Sequence, residues 1–216
     1  MTTCERQRGF TLLELVVVLG VLGILLGAAA PLAGAAIDAG RRQEVGAELD
    51  ALATALDSYY FEHAAFPSRI DATDFVGIHL QPGTRDTAIV DPFAAGGAYL
   101  FAVDTSANTV TVRSLGENQR DDNGGGDDIV VVVHGAIPGA RRTYQRLRIV
   151  VERLAEHIES GGTVTGNWTA VRTAMGLGSE YERDGWGTTL SWDASTFTLR
   201  SAGPDRSLGN SDDITL

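Results

Sequence analysis

The feature that most constrains this chain is an uninterrupted apolar run near its start that holds a single charge. From Phe10 to Ala30 the sequence has 21 residues, and Glu14 is the one charged residue among them. At about 1.5 Å per residue, a helix of this length nearly matches a hydrocarbon core of roughly 30 Å. A carboxylate in lipid is costly and usually has a partner. The run therefore predicts a membrane helix in which Glu14 needs a partner.

Two ordinary interpretations of the run leave Glu14 unexplained. Arg6 and Arg8 precede the run and predict a cytoplasmic N-terminus, and the small residues 28–30 would suit a signal-peptide cleavage site. The run is longer than the usual apolar region of about 7–15 residues in a signal peptide, and a charge inside that region would be unusual. A plain membrane anchor gives Glu14 no partner either.

The residues around Glu14 resemble a family of filament proteins. The stretch RGFTLLEL, residues 8–15, is similar to the leader junction of type IV prepilins. The resemblance implies that a prepilin peptidase cleaves after Gly9 and methylates the new N-terminus at Phe10. It also implies that Glu14 pairs with the Phe10 amine of a neighbouring subunit, and that Pro31 kinks the helix.

The sequence after the membrane run predicts that the helix continues with one apolar face. Apolar residues recur at helical spacing until Pro67 ends the pattern, at Val45, Leu49, Leu52, Leu56, Tyr59 and Tyr60. One helix is therefore predicted from about Thr11 to His63. Its end, residues 55–60 followed by Phe66 and Pro67, resembles the end of the long helix in the major pseudopilin of type II secretion.

In the rest of the chain, the same series of elements is predicted to occur twice. The series is a helix, an Asp-x-aromatic turn, a hairpin, a Ser-x-Gly turn and an Asp-Asp-Ile run. The hairpins are predicted at Tyr99–Val103 with Thr109–Arg113 and at Thr188–Trp192 with Thr196–Arg200. The second helix is predicted at about Arg142–Ser160, with an apolar stripe of Tyr144, Leu147, Val150, Val151, Leu154 and Ile158. The matched positions are Asp91 and Asp184, Ser114 and Ser201, Gly116 and Gly203, and residues 127–129 and 212–214. Four matches in the same order indicate a tandem duplication.

The predicted fold class is therefore α+β. A long N-terminal helix, first in the membrane and then amphipathic, packs on a small antiparallel sheet, and a second helix-plus-hairpin head of the same type follows. The predicted domains are a leader at 1–9, a filament-core helix at 10–31, a first head at 32–138 and a second head at 139–216.

Each predicted head ends in an acidic, glycine-rich loop that offers oxygen ligands of the kind that calcium prefers. The first loop is not an EF-hand, because the twelfth position counted from Asp121 is Val132 rather than Glu. Both loops resemble the calcium loop of the major pseudopilin, which implies one or two Ca²⁺ sites. In the second loop the implied ligands are the Ala202 carbonyl, Asp205, the Ser207 carbonyl, Asp212 and Asp213. In the first loop they are the Leu115 carbonyl, Asn118, the Arg120 carbonyl, Asp127 and Asp128. The neutral Asn118, where the family has Asp, predicts a weaker first site unless Asp121 or Asp122 compensates for it.

Composition and spacing argue against several other functions. The net charge of −11 disfavours nucleic-acid binding, and Cys4, the single cysteine, allows no internal disulfide. The four histidines are far apart in sequence without metal-ligand spacing, and they are predicted to be surface or partly buried residues: His63, His79, His134 and His157. Nucleophile-elbow, phosphate-loop and zinc-protease motifs do not occur, so no enzymatic activity is predicted.

The sequence therefore predicts a structural subunit of a type II secretion pseudopilus or a related type IV pilus-like filament. The resemblance implies a single-pass inner-membrane protein with periplasmic heads. Its implied partners are other pilin subunits, the prepilin peptidase and the inner-membrane assembly platform. Two alternatives stay open: a membrane-anchored, calcium-dependent binding module that does not polymerise, and a minor pilin of a type IV pilus or DNA-uptake machine.

Overall fold

The computed structural model describes residues 11–80, 89–94 and 97–215, and within helix α1 it leaves the side chains of residues 28–33 undescribed. The chain divides into two units, Met1–Glu44 and Val45–Leu216. Helix α1, Leu12–His63, begins in the first unit and ends in the second. Its bounds confirm the predicted long helix.

The part of α1 in the first unit is apolar and exposed. Leu12, Leu19 and Leu26 are 82%, 59% and 69% exposed, and the helix continues through Pro31. Within the described residues, no helix has an apolar stretch long enough to cross a membrane. The membrane span at residues 10–31 stays a prediction.

The part of α1 in the second unit buries the predicted apolar stripe. All six stripe residues are at most 7% exposed, and Val45, Leu52, Leu56 and Tyr60 are fully buried. Burying a large apolar side chain stabilises a fold by about 1.5–3 kcal/mol, so this stripe is a main source of stability for the first core.

Three antiparallel strands form the sheet of the first core: β1, Leu100–Asp104; β2, Thr109–Ser114; and β3, Ile129–His134. Side chains alternate along β2, so that Val110, Val112 and Ser114 point into the core. The predicted hairpin is confirmed. The third strand was not predicted, because its run of valines directly follows the acidic loop.

The rest of the second unit also runs from a helix to three strands, with a short helix and a 3₁₀ turn between them. These elements are α2, Ala136–Glu159; α3, Trp168–Ala174; a 3₁₀ turn, Ser179–Glu182; β4, Ser191–Asp193; β5, Thr198–Ser201; and β6, Ile214–Thr215. Strands β4, β5 and β6 form a second antiparallel sheet in that order. A separate core cluster lies between them and α2, formed by Leu147, Val150, Trp168, Val171, Leu177, Leu190 and Leu199. The observed fold class is α+β, as predicted.

Helix α2 differs from its prediction in its start and in its buried face. It starts at Ala136 rather than at Arg142, because a proline in the first turn, here Pro138, does not interrupt a helix. Leu147 and Val150 are buried as predicted. The prediction was wrong for three stripe residues, which are 61%, 44% and 51% exposed: Tyr144, Val151 and Ile158.

Small residues explain which face of α2 is buried. Gly139 leaves no room for a Cβ, because the Trp186 ring lies against it. Trp186 Nε1 donates to the carbonyl of Gly135 at 3.1 Å, and the Gly185 N–H donates to Thr143 Oγ1 at 2.8 Å. The turn at 184–187 therefore packs on the glycine and threonine of α2 and turns that face inward.

Candidate functional site

The start of α1 is closed by a reciprocal cap. The Glu14 N–H donates to Thr11 Oγ1 at 3.3 Å, and Glu14 Oε2 accepts from the Thr11 N–H and the Thr11 hydroxyl, both at 3.1 Å. This is a capping box, in which a Thr and a Glu three residues on satisfy each other's backbone donors. The Thr-x-x-Glu spacing was visible in the sequence. Gly9 and Phe10, the predicted cleavage and methylation residues, lie outside the described residues.

Two buried aspartates organise the turns that precede the hairpins. Asp91 and Asp184 are each 1% exposed. One carboxylate oxygen of each accepts the N–H two residues on, from Phe93 and from Trp186, both at 3.0 Å. Such contacts are typical of an Asp that fixes its own turn.

Each strand that leads into an acidic loop ends in a buried serine followed by a left-handed glycine. The Gly116 N–H donates to Ser114 Oγ at 3.3 Å, and the Gly203 N–H donates to Ser201 Oγ at 3.2 Å. The φ angles of the two glycines are 62° and 67°. A Cβ at either position would overlap the backbone oxygen of the first aspartate of that loop's Asp-Asp pair. Both loops therefore need glycine at this point.

In the first loop, hydrogen bonds to other residues of the loop hold three of the predicted calcium ligands, Asn118, Asp127 and Asp128. The Asn118 N–H donates to Asp127 Oδ2 at 2.8 Å, and the Asn118 amide donates to Asp122 Oδ2 at 2.9 Å. The Gly124 N–H donates to Asp128 Oδ2 at 2.8 Å. The second oxygens of Asp127 and Asp128 are buried and accept no hydrogen bond. Two buried carboxylate oxygens are thus available to a cation.

The second loop has the same arrangement. The Asp205 N–H donates to Asp212 Oδ2 at 3.3 Å, and the Gly209 N–H donates to Asp213 Oδ2 at 2.8 Å. The Ser207 N–H donates to Asp205 Oδ1 at 2.8 Å. The Oδ1 atom of Asp213 is buried without a hydrogen bond. Each side chain that the sequence predicted as a ligand of this loop therefore accepts a backbone N–H of the same loop.

An arginine distinguishes the two loops. Arg113 Nη1 lies 2.7 Å from Asp121 Oδ1 and 3.8 Å from Asp128 Oδ2, and the Asp128 side chain is fully buried. Arg200 has the equivalent place in the second sheet, one residue before the buried serine, and it is exposed. The first loop therefore supplies its own positive charge to the carboxylate that calcium would bind.

The end of α1 and the turn after it carry a cluster of metal-binding side chains that the sequence did not indicate. Among the residues that the structure describes, the group of three or more side-chain ligands within 4.8 Å of one another is Glu62, His63 and His79. His63 and His79 are far apart in sequence without metal-ligand spacing, but the fold brings their ring centroids to 5.7 Å from each other. The acidic loops do not form such a group, so calcium there would also need backbone oxygens.

Comparison with known proteins identifies the start of the chain. Residues 5–30 match the family model of the prokaryotic N-terminal methylation motif. The type II secretion system core protein G of Klebsiella pneumoniae is 41% identical over 64 residues, which cover 30% of this chain and 46% of that protein. The core protein G of Klebsiella michiganensis is 39% identical over 64 residues, which cover 30% and 45%. No solved structure is significantly similar to the chain.

These matches cover the N-terminal part and no more. The chain spans a little under half the length of each curated relative that it matches. The relatives are secretion-system core proteins rather than enzymes, which agrees with the prediction that the chain is not an enzyme. In its N-terminal part, the chain carries a type IV pilin-like methylation motif and is homologous to the type II secretion system core protein G.

Proposed function

We propose that the chain is a structural subunit of a type II secretion pseudopilus or a related pilin-like filament. The observation that carries this proposal is the methylation motif at residues 5–30 together with the 41% identity to core protein G over 64 residues. The exposed apolar half of α1 supports it, because such a surface needs lipid or neighbouring helices around it.

The proposed processing and assembly of the subunit depend on its N-terminal residues. Prepilin peptidase cleaves after Gly9 and methylates Phe10, the helix over residues 10–31 holds the subunit in the inner membrane, and the heads lie in the periplasm. The assembly platform then packs these helices into the filament core. Glu14 pairs there with the Phe10 amine of a neighbouring subunit, because two charges that are each costly in lipid compensate each other.

A second candidate is a membrane-anchored module that does not polymerise. The observation that favours it is the capping box, because Thr11 already gives the Glu14 carboxylate hydrogen-bond partners within its own chain. In that case Glu14 is retained for the start of the helix rather than for a contact between subunits.

Two substitutions at one position separate the candidates. Glu14→Gln keeps a side chain that can complete a capping box but removes the charge, whereas Glu14→Ala removes both. A filament subunit loses incorporation in both variants, measured by cross-linking to wild-type subunits in membranes. An anchored module keeps its membrane localisation in both, and only Glu14→Ala lowers its helix content. Normal incorporation of Glu14→Gln would contradict the ion-pair proposal.

We further propose that the two heads arose by tandem duplication, with the division near residue 138. Two separate core clusters support this, as do two sheets with the same strand order. The equivalent turns at Asp91 and Asp184 and the equivalent glycines at Gly116 and Gly203 support it at the level of hydrogen bonds and φ angles. Independent convergence on all of these details is a poorer explanation than descent from one head.

The proposed metal of the acidic loops is calcium. The donor set is oxygen alone, and buried carboxylate oxygens without hydrogen bonds are present in both loops. The second loop would use the Ala202 and Ser207 carbonyls with Asp205, Asp212 and Asp213. The first would use the Leu115 and Arg120 carbonyls with Asn118, Asp127 and Asp128. Bound calcium would stabilise the folded loops by neutralising their carboxylates.

Calcium titration calorimetry on the full chain in detergent tests this proposal. We expect one or two sites per chain, and Asp213→Asn removes the tighter one. Asp104→Asn is the control, because that carboxylate accepts from its own hairpin turn, at the end of the first sheet opposite the first loop. Unchanged binding by Asp213→Asn, or no binding at millimolar calcium, would contradict the assignment.

A further inference from the structure

The C-terminal end of α1 carries a cluster of nitrogen and oxygen donors. Glu62 and His63 are the last two residues of the helix, and His79 lies in a later turn that packs against this end of the helix. One donor atom of each residue lies within 4.8 Å of the other two. Because two imidazoles are included, the donor set differs in kind from the all-oxygen acidic loops.

Each ring nitrogen of His79 has a polar neighbour. Its Nδ1 lies 3.1 Å from Ser58 Oγ, and its Nε2 lies 3.7 Å from Glu62 Oε2. Ser58 and Glu62 are four residues apart and therefore share one face of the helix. The serine orients the ring through one nitrogen and leaves the other nitrogen to bind a ligand, as a hydrogen bond on the far nitrogen does for a histidine that binds a metal.

The Nε2 atom of His79 is the second, independent sign of a ligand. The His79 side chain is only 3% exposed, and its Nε2 is buried without a hydrogen bond. A buried polar atom without a partner costs free energy unless a ligand or another group satisfies it. The atom points toward the Glu62 carboxylate, which is itself 60% exposed and can reach a cation from solvent.

Aromatic contacts and a tight turn make this geometry rigid. The rings of Tyr59 and His63 lie 4.3 Å apart, and His79 meets both edge-on at 5.2 and 5.7 Å. Phe75, fully buried, and Leu80 anchor the turn on either side of His79. The three donors therefore need only small side-chain rotations to meet at one point.

We propose that Glu62, His63 and His79 form a zinc-binding site that joins the end of α1 to the turn at residues 74–80. Two imidazoles and a carboxylate suit Zn²⁺, which takes them with a water as the fourth ligand, whereas Ca²⁺ takes oxygen ligands. Tetrahedral zinc ligands lie about 3.4 Å apart, close to the 3.7 Å between His79 Nε2 and Glu62 Oε2.

Arg142 opposes this site. Burial lowers the pKa of Arg142 and the opposite charge of Glu62 acts against that shift, so the arginine charge is close enough to reduce the attraction of the carboxylate for a cation. Removing the charge with Arg142→Gln should therefore strengthen zinc binding. If Glu62, His63 and His79 only pack together and do not bind zinc, Arg142→Gln should leave zinc binding unchanged.

Zinc titration of the full chain tests the proposal. The chain is purified in detergent without a polyhistidine tag and is kept in saturating calcium, so that the acidic loops do not contribute. We expect one zinc per chain. Glu62→Gln and His79→Gln should weaken binding about tenfold or more, because each removes a ligand. His134→Gln, at an exposed histidine on β3, is the matched control and should bind as wild type.

Two further readouts keep the result decisive. Zinc should raise the unfolding temperature of the wild type and of His134→Gln, but not of Glu62→Gln, whose exposed side chain is not needed for folding. Bound cobalt should give the visible absorption of a tetrahedral site. The proposal is overturned if the wild type binds no zinc, or if Glu62→Gln and His134→Gln bind it equally. Calcium binding would stand in either case, so the two metal proposals fail separately.

Discussion

The Ser201 hydroxyl donates a buried hydrogen bond of 2.7 Å to Asp184 Oδ2. This bond joins the turn at the start of the second hairpin to the last residue of β5, directly before the second acidic loop. The other oxygen of Asp184 accepts the N–H groups of Trp186 and Thr188 at 3.0 and 2.8 Å. One side chain therefore fixes the positions of the turn, the strand and the start of the loop relative to one another.

Asp184→Ala should destabilise the second head strongly. It leaves two backbone N–H groups and a hydroxyl in the turn without their acceptor, and each unsatisfied buried group costs about 1–3 kcal/mol. We expect a loss of about 3 kcal/mol or more in denaturant unfolding of the full chain in detergent. Asp193→Ala, at an exposed turn, is the control and should cost much less. A loss below about 1 kcal/mol for Asp184→Ala would show that the carboxylate is not the organiser of the turn.

Gly203→Ala should distort the second acidic loop. A left-handed conformation costs a residue with a side chain about 1–2 kcal/mol, and here the Cβ would also overlap the backbone of Asp212. Gly209→Ala is a matched control, because Gly209 also has a positive φ, 103°, but has open space around it. We expect Gly203→Ala to weaken calcium binding more than Gly209→Ala in calorimetry. Equal effects of the two substitutions would mean that backbone strain, and not the overlap, matters.

Regular patterns predicted the first head well. The spacing of Val45, Leu49, Leu52 and Leu56 determines which face of α1 is buried, because a helix places residues three and four apart on one side. The same rule failed for Tyr144 in α2. There the buried face is the one with Gly139 and Thr143, because these small residues leave space for the turn around Trp186. The spacing of large apolar residues gives no sign of such a contact.

Contacts distant in sequence were beyond prediction. His63 and His79 meet because the chain turns back at the end of α1, and no spacing rule places two residues that far apart in one cluster. The two acidic loops were easier to predict from the sequence. Their Ser-x-Gly and Asp-Asp elements are local, so a resemblance in sequence carried over to equivalent hydrogen bonds at Asp127 and Asp212. The ion pair of Arg113 depends on the sheet register, which the sequence did not specify.

Arg113→Gln should strengthen calcium binding at the first loop, if the calcium proposal holds. The guanidinium lies beside Asp121 and Asp128 and therefore competes with a cation for their carboxylates. Calorimetry of the full chain should show a lower Kd for the weaker site and no change for the tighter one. Arg200→Gln, at the equivalent but exposed position, is the control. Weaker binding by Arg113→Gln would show that the arginine orders the loop instead.

Tyr59 should ionise at an unusually high pH. Burial and the hydrogen bond of 2.7 Å that its hydroxyl donates to Asp74 Oδ2 raise the pKa of Tyr59 to about 12. A folded-state pKa above the unfolded value of about 10 gives a contribution to stability that is complete below pH 10. That contribution is lost as the pH rises from about 10 through 12, because the unfolded state releases the proton first.

Tyrosinate absorbance during an alkaline titration of the full chain checks this expectation. Tyr59→Phe should remove amplitude from the late step, near pH 12. Tyr144→Phe is the matched control: Tyr144 is 61% exposed, so its loss should reduce the ordinary step near pH 10. If Tyr59→Phe instead reduces the ordinary step, the hydroxyl is not held by Asp74. Tyr59 also contacts the rings of His63 and His79, so its bond to Asp74 helps to fix the donor cluster at the end of α1.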